Sequence, residues 1–153
     1  MLLSARNYGD RVNPDAAKDP AAAAAEETIL GLLLEYPEHR KAVVSGRVEL
    51  GADDFFTDLG KRAFQRIIEM EKSEDGYSFS ALGEYFEPDE MGRLVKIDQS
   101  RQSLSNNSVD VLAAAAETLR RRREQRESAE SGNWQSELAR RRAELERNKK
   151  NNQ

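Results

Sequence analysis

"AAAAAEETILGLLLEY", residues 21–36, decides the fold. Ala25, Ile29, Leu32, Leu33 and Tyr36 stand at i, i+4, i+7, i+8 and i+11, so a helix gathers them on one face. Glu26 and Glu27 sit towards its start, where the positive end of the helix dipole favours carboxylates. Pro37 ends this helix and suits the first position of the next, "PEHRKAVV" (37–44).

The same period recurs downstream. "GADDFFTDLGKRAFQRIIEMEKS" (51–73) is the strongest helical pattern: Phe56, Leu59, Ala63, Phe64, Ile67 and Ile68 make a broad apolar stripe, with Lys61, Arg62, Gln65 and Arg66 mostly opposite. "SEDGY" (73–77) breaks the chain, and Ser78 is placed to cap a short helix, "FSALGEYF" (79–86). Pro88, followed by Asp89 and Glu90, opens another helix in "EPDEMGRLVKI" (87–97). "DQSRQSLSNNS" (98–108) reads as a polar loop. Val109, Leu112, Ala113, Ala116 and Leu119 then form a last stripe, which disappears in "RRRREQRESAES" (120–131). Gly132 and Asn133 read as a helix stop and an N-cap, with a final helix from about Trp134 to Lys149. No alternation of period two survives anywhere. The expected class is all-α: a helical bundle over 21–119, then a long exit helix and a protruding C-terminal hairpin over 120–153. Residues 1–20, with two prolines, one glycine and no period, read as a disordered linker remnant.

Composition narrows the function classes. The 153 residues are 38% hydrophobic and 34% charged, lean in core material for their length. The longest apolar run, "ILGLLL" (29–34), is far too short to span a membrane, and "MLLSARNYG" is not a secretory signal. The absence of cysteine excludes disulfides and thiolate zinc sites, which fits a cytoplasmic location. The net charge of −4 conceals a split: residues 119–153 carry +5 and the remainder −9. A basic tail on an acidic body suits nucleic acid or an acidic protein partner.

Catalytic chemistry finds little support. The single histidine, His39, has no serine placed to complete a triad and reads as structural or solvent-facing. Asp53/Asp54 and Glu87/Asp89/Glu90 are accounted for by capping and dipole compensation. "GKR" (60–62) lacks the upstream glycines of a phosphate loop. No cofactor, metal site or enzymatic activity is expected. The runs "RRRR" (120–123) and "RRR" (140–142) point to nucleic acid, but Glu124, Glu127, Glu130, Glu137, Glu144 and Glu146 interleave with them at i,i+3 and i,i+4. That mixing favours a salt-bridged helix surface and leaves a small nucleic-acid-binding module as the alternative reading. The tail offers only Trp134, Leu138 and Leu145 as apolar material on one face, too thin a seam for a hairpin to stand alone. A partner is expected to complete it, with Trp134 either closing the hairpin or anchoring the interface.

"AEETILGLLLEYPEHRK" (25–41), "DDFFTDLGKRAFQRIIEM" (53–70) and "FSALGEYFEPDEMGRL" (79–94) together resemble the C-terminal helicase-binding domain of bacterial DNA primase. The resemblance runs from about Ala24 to the end of the chain. The N-terminal domain of the replicative helicase is similar in its bundle and shares the "DDFF" entry. The C-terminal place of the hairpin, with no ATPase domain after it, favours primase. The resemblance implies a non-catalytic, cytoplasmic module that docks on the N-terminal collar of the hexameric replicative helicase. It implies recruitment of primase to the replication fork and modulation of the helicase. The residues expected to face the helicase are Trp134, Leu138 and Leu145, flanked by Arg141, Arg142 and Lys149. The chain alone is expected to be a monomer.

Overall fold

The computed structural model describes residues 11–151, with side chains described except at 133–136 and 148–151. Six α-helices follow one another: α1 (Pro20–Glu35), α2 (Pro37–Val44), α3 (Asp58–Lys72), α4 (Phe79–Leu82), α5 (Pro88–Gln102) and α6 (Val109–Asn151). Short 3-10 turns occupy Pro14–Lys18, Ala52–Asp54 and Gly83–Tyr85. Among the described residues there is no strand, so the protein is all-α.

α1 is the axis of the body. It packs chiefly against α5 and α6, and also against α3. The expected face of Ala25, Ile29, Leu32 and Leu33 is buried, and so are Leu30, Leu34, Ala22 and Glu26, because neighbours surround this helix on several sides. A helix covered all round needs more than one apolar stripe. Leu59, Ala63, Phe64 and Ile67 of α3, Leu94 and Ile97 of α5, and Leu112, Ala116 and Leu119 of α6 complete the core. Phe55 packs on Phe64 with ring centroids 4.7 Å apart.

The starts of α1, α3, α4 and α5 are chemically marked. Asp19 accepts from Ala22 N at 3.2 Å ahead of Pro20, and Thr57 accepts from Gly60 N at 3.0 Å. The Ser78 hydroxyl accepts from Ala81 N, and the Glu90 carboxylate turns back to Glu87 N. These bonds satisfy donors that a helix cannot pair within its own first turn.

Five expectations are corrected. Residues 11–20 are not a linker: Val12 packs on the core, and Pro14–Lys18 forms a turn leading into the buried Asp19. Residues 1–10 lie outside those described. α3 begins at Asp58 rather than near Gly51, because Thr57 caps it. The polar stretch 98–108 is helical as far as Gln102, where Arg101 turns inward onto Asn106 and Asn107. Within α6 the buried alanines are Ala115 and Ala116, and Ala113 is exposed.

The fifth correction is the largest. α6 runs unbroken from Val109 to Asn151 through Gly132 and Asn133, so the described residues contain no C-terminal hairpin. A glycine inside a helix costs only about 1 kcal/mol relative to alanine. A turn at 132 would need tertiary contacts to hold the returning helix, and the sparse seam beyond Leu119 supplies few. At a rise of 1.5 Å per residue, α6 is roughly 65 Å long.

Candidate protein-docking surface

The apolar stripe of α6 ends at Leu119, yet the helix stays on the body for two more turns through arginine. The Arg120 guanidinium donates to the Glu49 carbonyl, and Arg123 pairs with Asp54 at 3.0 Å. Arg122 and Arg126 converge on Asp19 at 3.1 and 2.9 Å. The Arg126 guanidinium also lies over the Phe56 ring, 4.5 Å from its centroid. Burial pushes the Asp19 carboxyl up, but the Ala22 N–H and the two guanidinium groups outweigh this and hold it below the usual carboxylate range. The packed part of α6 therefore extends to Arg126, past the expected boundary at 119.

Beneath this root lies a polar node that the sequence pattern did not reveal. Glu26, 1% exposed, reaches from α1 to the start of α3. Its carboxylate accepts from Phe56 N at 2.7 Å, from Thr57 N at 3.1 Å and from the Thr57 hydroxyl. Burial raises its pKa, opposed by the bonds from Thr57 and Phe56 and by the charge of Arg126. Gly60 faces the carboxylate so closely that a Cβ there would come within 2.0 Å of Glu26 Oε1. The node fixes the start of α3 and the 52–57 loop, and that loop carries Asp54 and Phe56 to α6.

Beyond Arg126 the surroundings change. From 127 onward every residue with a described side chain is exposed except Glu137 and Leu138, which are half-buried. Among the described residues, no hydrogen bond or ion pair joins this part of α6 to the body; Arg141 pairs within the helix, with Glu137 at 2.9 Å. Leu145 is 63% exposed, the most exposed large apolar side chain described. Of the residues expected at the interface, the structure thus places Leu138, Arg141, Arg142 and Leu145 on the outer part of one helix. Leu138 and Leu145, seven apart, share a face. Trp134 and Lys149 lie on the same helix, but their side chains fall outside those described.

His39 and Arg40 are tied into the body. His39 is 2% exposed, and its Nε2 lies 2.7 Å from the Asn107 carbonyl. That contact makes Nε2 the protonated nitrogen and holds the 103–108 loop against α2. Arg40 is buried beneath Tyr77 and bonded to the Leu33 carbonyl and to Glu71. A shallow groove of about 380 Å³ runs between α1 and α5, with Ala24, Thr28, Ile97 and Leu104 beside Lys96. Among the described residues, no three His, Cys, Asp or Glu side chains gather as metal ligands, and no helix is long and apolar enough to cross a membrane. Comparison with protein-family models, curated proteins and solved structures gave no match.

Proposed function

We propose that this chain is a non-catalytic docking module of a bacterial primase. The outer part of α6 engages the N-terminal domains of the hexameric replicative helicase, recruiting primase to the replication fork in the cytoplasm and modulating the helicase. The observation that carries this reading is the contrast along α6. Its inner half is packed and salt-bridged, while its outer half presents Leu138 and Leu145 beside Arg141 and Arg142. An isolated helix with so little apolar surface is marginal in water, and a partner helix would stabilise it. The resembling segments, 25–41, 53–70 and 79–94, supply the body that carries this helix.

Docking uses a straight helix here rather than a hairpin. Leu138 and Leu145 remain on one face, and the partner surface would have to be acidic around an apolar strip. The alternative, direct nucleic-acid binding, loses its strongest element because Arg120, Arg122, Arg123 and Arg126 are engaged by the body. The deciding experiment mixes the full chain with the cognate helicase on a sizing column, in parallel with single-stranded DNA. Co-elution with the hexamer that is lost with Leu145→Arg supports docking. Salt-sensitive retention by DNA alone, with no helicase complex, supports the alternative.

A further inference from the structure

Residues 14–19 cross three helix junctions in six positions. Asp15 accepts from Asp58 N at 3.1 Å, at the start of α3. Asp19 caps α1 through Ala22 N and also receives the guanidinium groups of Arg122 and Arg126. On another side of α6, Asp54 holds Arg123, and the Glu49 carbonyl holds Arg120. Between 120 and 126 α6 contains no apolar side chain, so these two turns are held to the body through arginine alone.

We infer that residues 14–19 form an electrostatic strap which, with Asp54, sets the direction in which the outer half of α6 leaves the body. Leu112, Ala116 and Leu119 fix the first three turns of the helix in the core. The strap extends that support by two further turns and gives the projecting part a defined heading. The leverage is large: the segment beyond Arg126 is roughly 37 Å long, so a bend of about 10° at its base moves the tip by roughly 6 Å. Long helices do bend where contacts on one side are released. The guanidinium groups are partly open to water while Asp19 and Asp54 are buried, so salt weakens such a strap only in part. The strap does not depend on which partner the outer helix meets.

The chain has no cysteine, so a spin-label pair can be introduced cleanly at Lys41→Cys and Ala139→Cys, both exposed. Pulsed electron–electron distance measurement on the full chain at low salt should give one narrow distribution. Asp19→Asn combined with Asp54→Asn removes the charges, and Asn at 19 retains an N-cap of equal quality. The expected result is a distribution broadened roughly twofold at unchanged helicity, approached in part by the parent in about 1 M salt, because buried carboxylates are screened less. Arg122→Gln with Arg126→Gln, on side chains partly open to solvent, should broaden it likewise if the aspartate variant folds poorly. A distribution that stays narrow in the arginine variant and in salt would overturn the strap. So would broadening accompanied by lost helicity, since the helix would then have melted rather than changed course.

Discussion

The body and the outer half of α6 are both rich in charge, but they use it oppositely. In the body, carboxylates are turned inward to close helix ends and to hold arginines: Glu26 on the start of α3, Asp19 on α1 and α6, Asp54 on Arg123. Beyond Arg126, the described charges face water, as with the Glu137–Arg141 pair one helical turn apart. Exposed pairs of that kind contribute only a few tenths of a kcal/mol each. Charge therefore shapes the body, whereas on the outer helix it stays available to a partner.

Four substitutions test that contrast. Phe64→Ala should have the largest effect, a loss of about 3–5 kcal/mol in chemical denaturation, because it leaves a cavity against Phe55 in the core. Glu26→Ala should follow at about 2–3 kcal/mol, since it strands the Phe56 and Thr57 N–H groups; retention of full stability would show that water replaces the carboxylate.

Asp98→Asn should act in the opposite direction. Burial and the neighbouring Glu35 push the Asp98 carboxyl up to about 6, while Gln102 donates to both carboxylates, at 2.9 Å to Asp98 and 3.0 Å to Glu35. The folded state therefore binds its proton more tightly than the unfolded state. Its contribution is most favourable below the unfolded value near 4 and is lost as pH rises through 6. Because Asp98 is only half-buried, Asn should add only about 1 kcal/mol at pH 7 after allowance for screening, and nothing at pH 4. Equal stabilisation at both pH values would mean that the gain is not electrostatic.

The smallest effect on stability belongs to the outer helix. Leu145→Ala should leave the free energy of unfolding within about 0.5 kcal/mol of the parent, while weakening the proposed helicase binding by about 1–2 kcal/mol. A large loss of stability would mean that Leu145 is already buried in the free protein.

Where an element obeys a period, the sequence was enough. α2 and α5 begin where Pro37 and Pro88 stand, and the stripe of α3 faces the core through Leu59, Ala63, Phe64 and Ile67. The misreadings arose where single contacts replace a period. Residues 11–19 are held by Val12, Asp15 and Asp19, one apolar and two acidic residues, so their i, i+3, i+7 spacing makes no apolar stripe to read. Glu26 looked like compensation for its own helix dipole, because a sequence does not state which other helix starts beside it. Gly60, a glycine within an amphipathic helix, was the one available sign of a close approach. The shared face of Leu138 and Leu145 was legible, but the course of the chain was misread at Gly132, where glycine's preference for turns had no tertiary contact to act through.

The closeness of Gly60 to Glu26 has a consequence for how this chain can change over time. An alanine at 60 collides with the carboxylate as long as the glutamate is present, since the added carbon would come within 2.0 Å of Oε1. A shorter residue at 26 removes that obstacle, while the Thr57 hydroxyl still lies 2.7 Å from the added carbon. The order of change is therefore constrained: position 26 must shorten, and the Thr57 hydroxyl must turn away, before position 60 can grow. Along any lineage descending from this sequence, the glycine is held jointly by its own helix cap, Thr57, and by a residue thirty-four positions away.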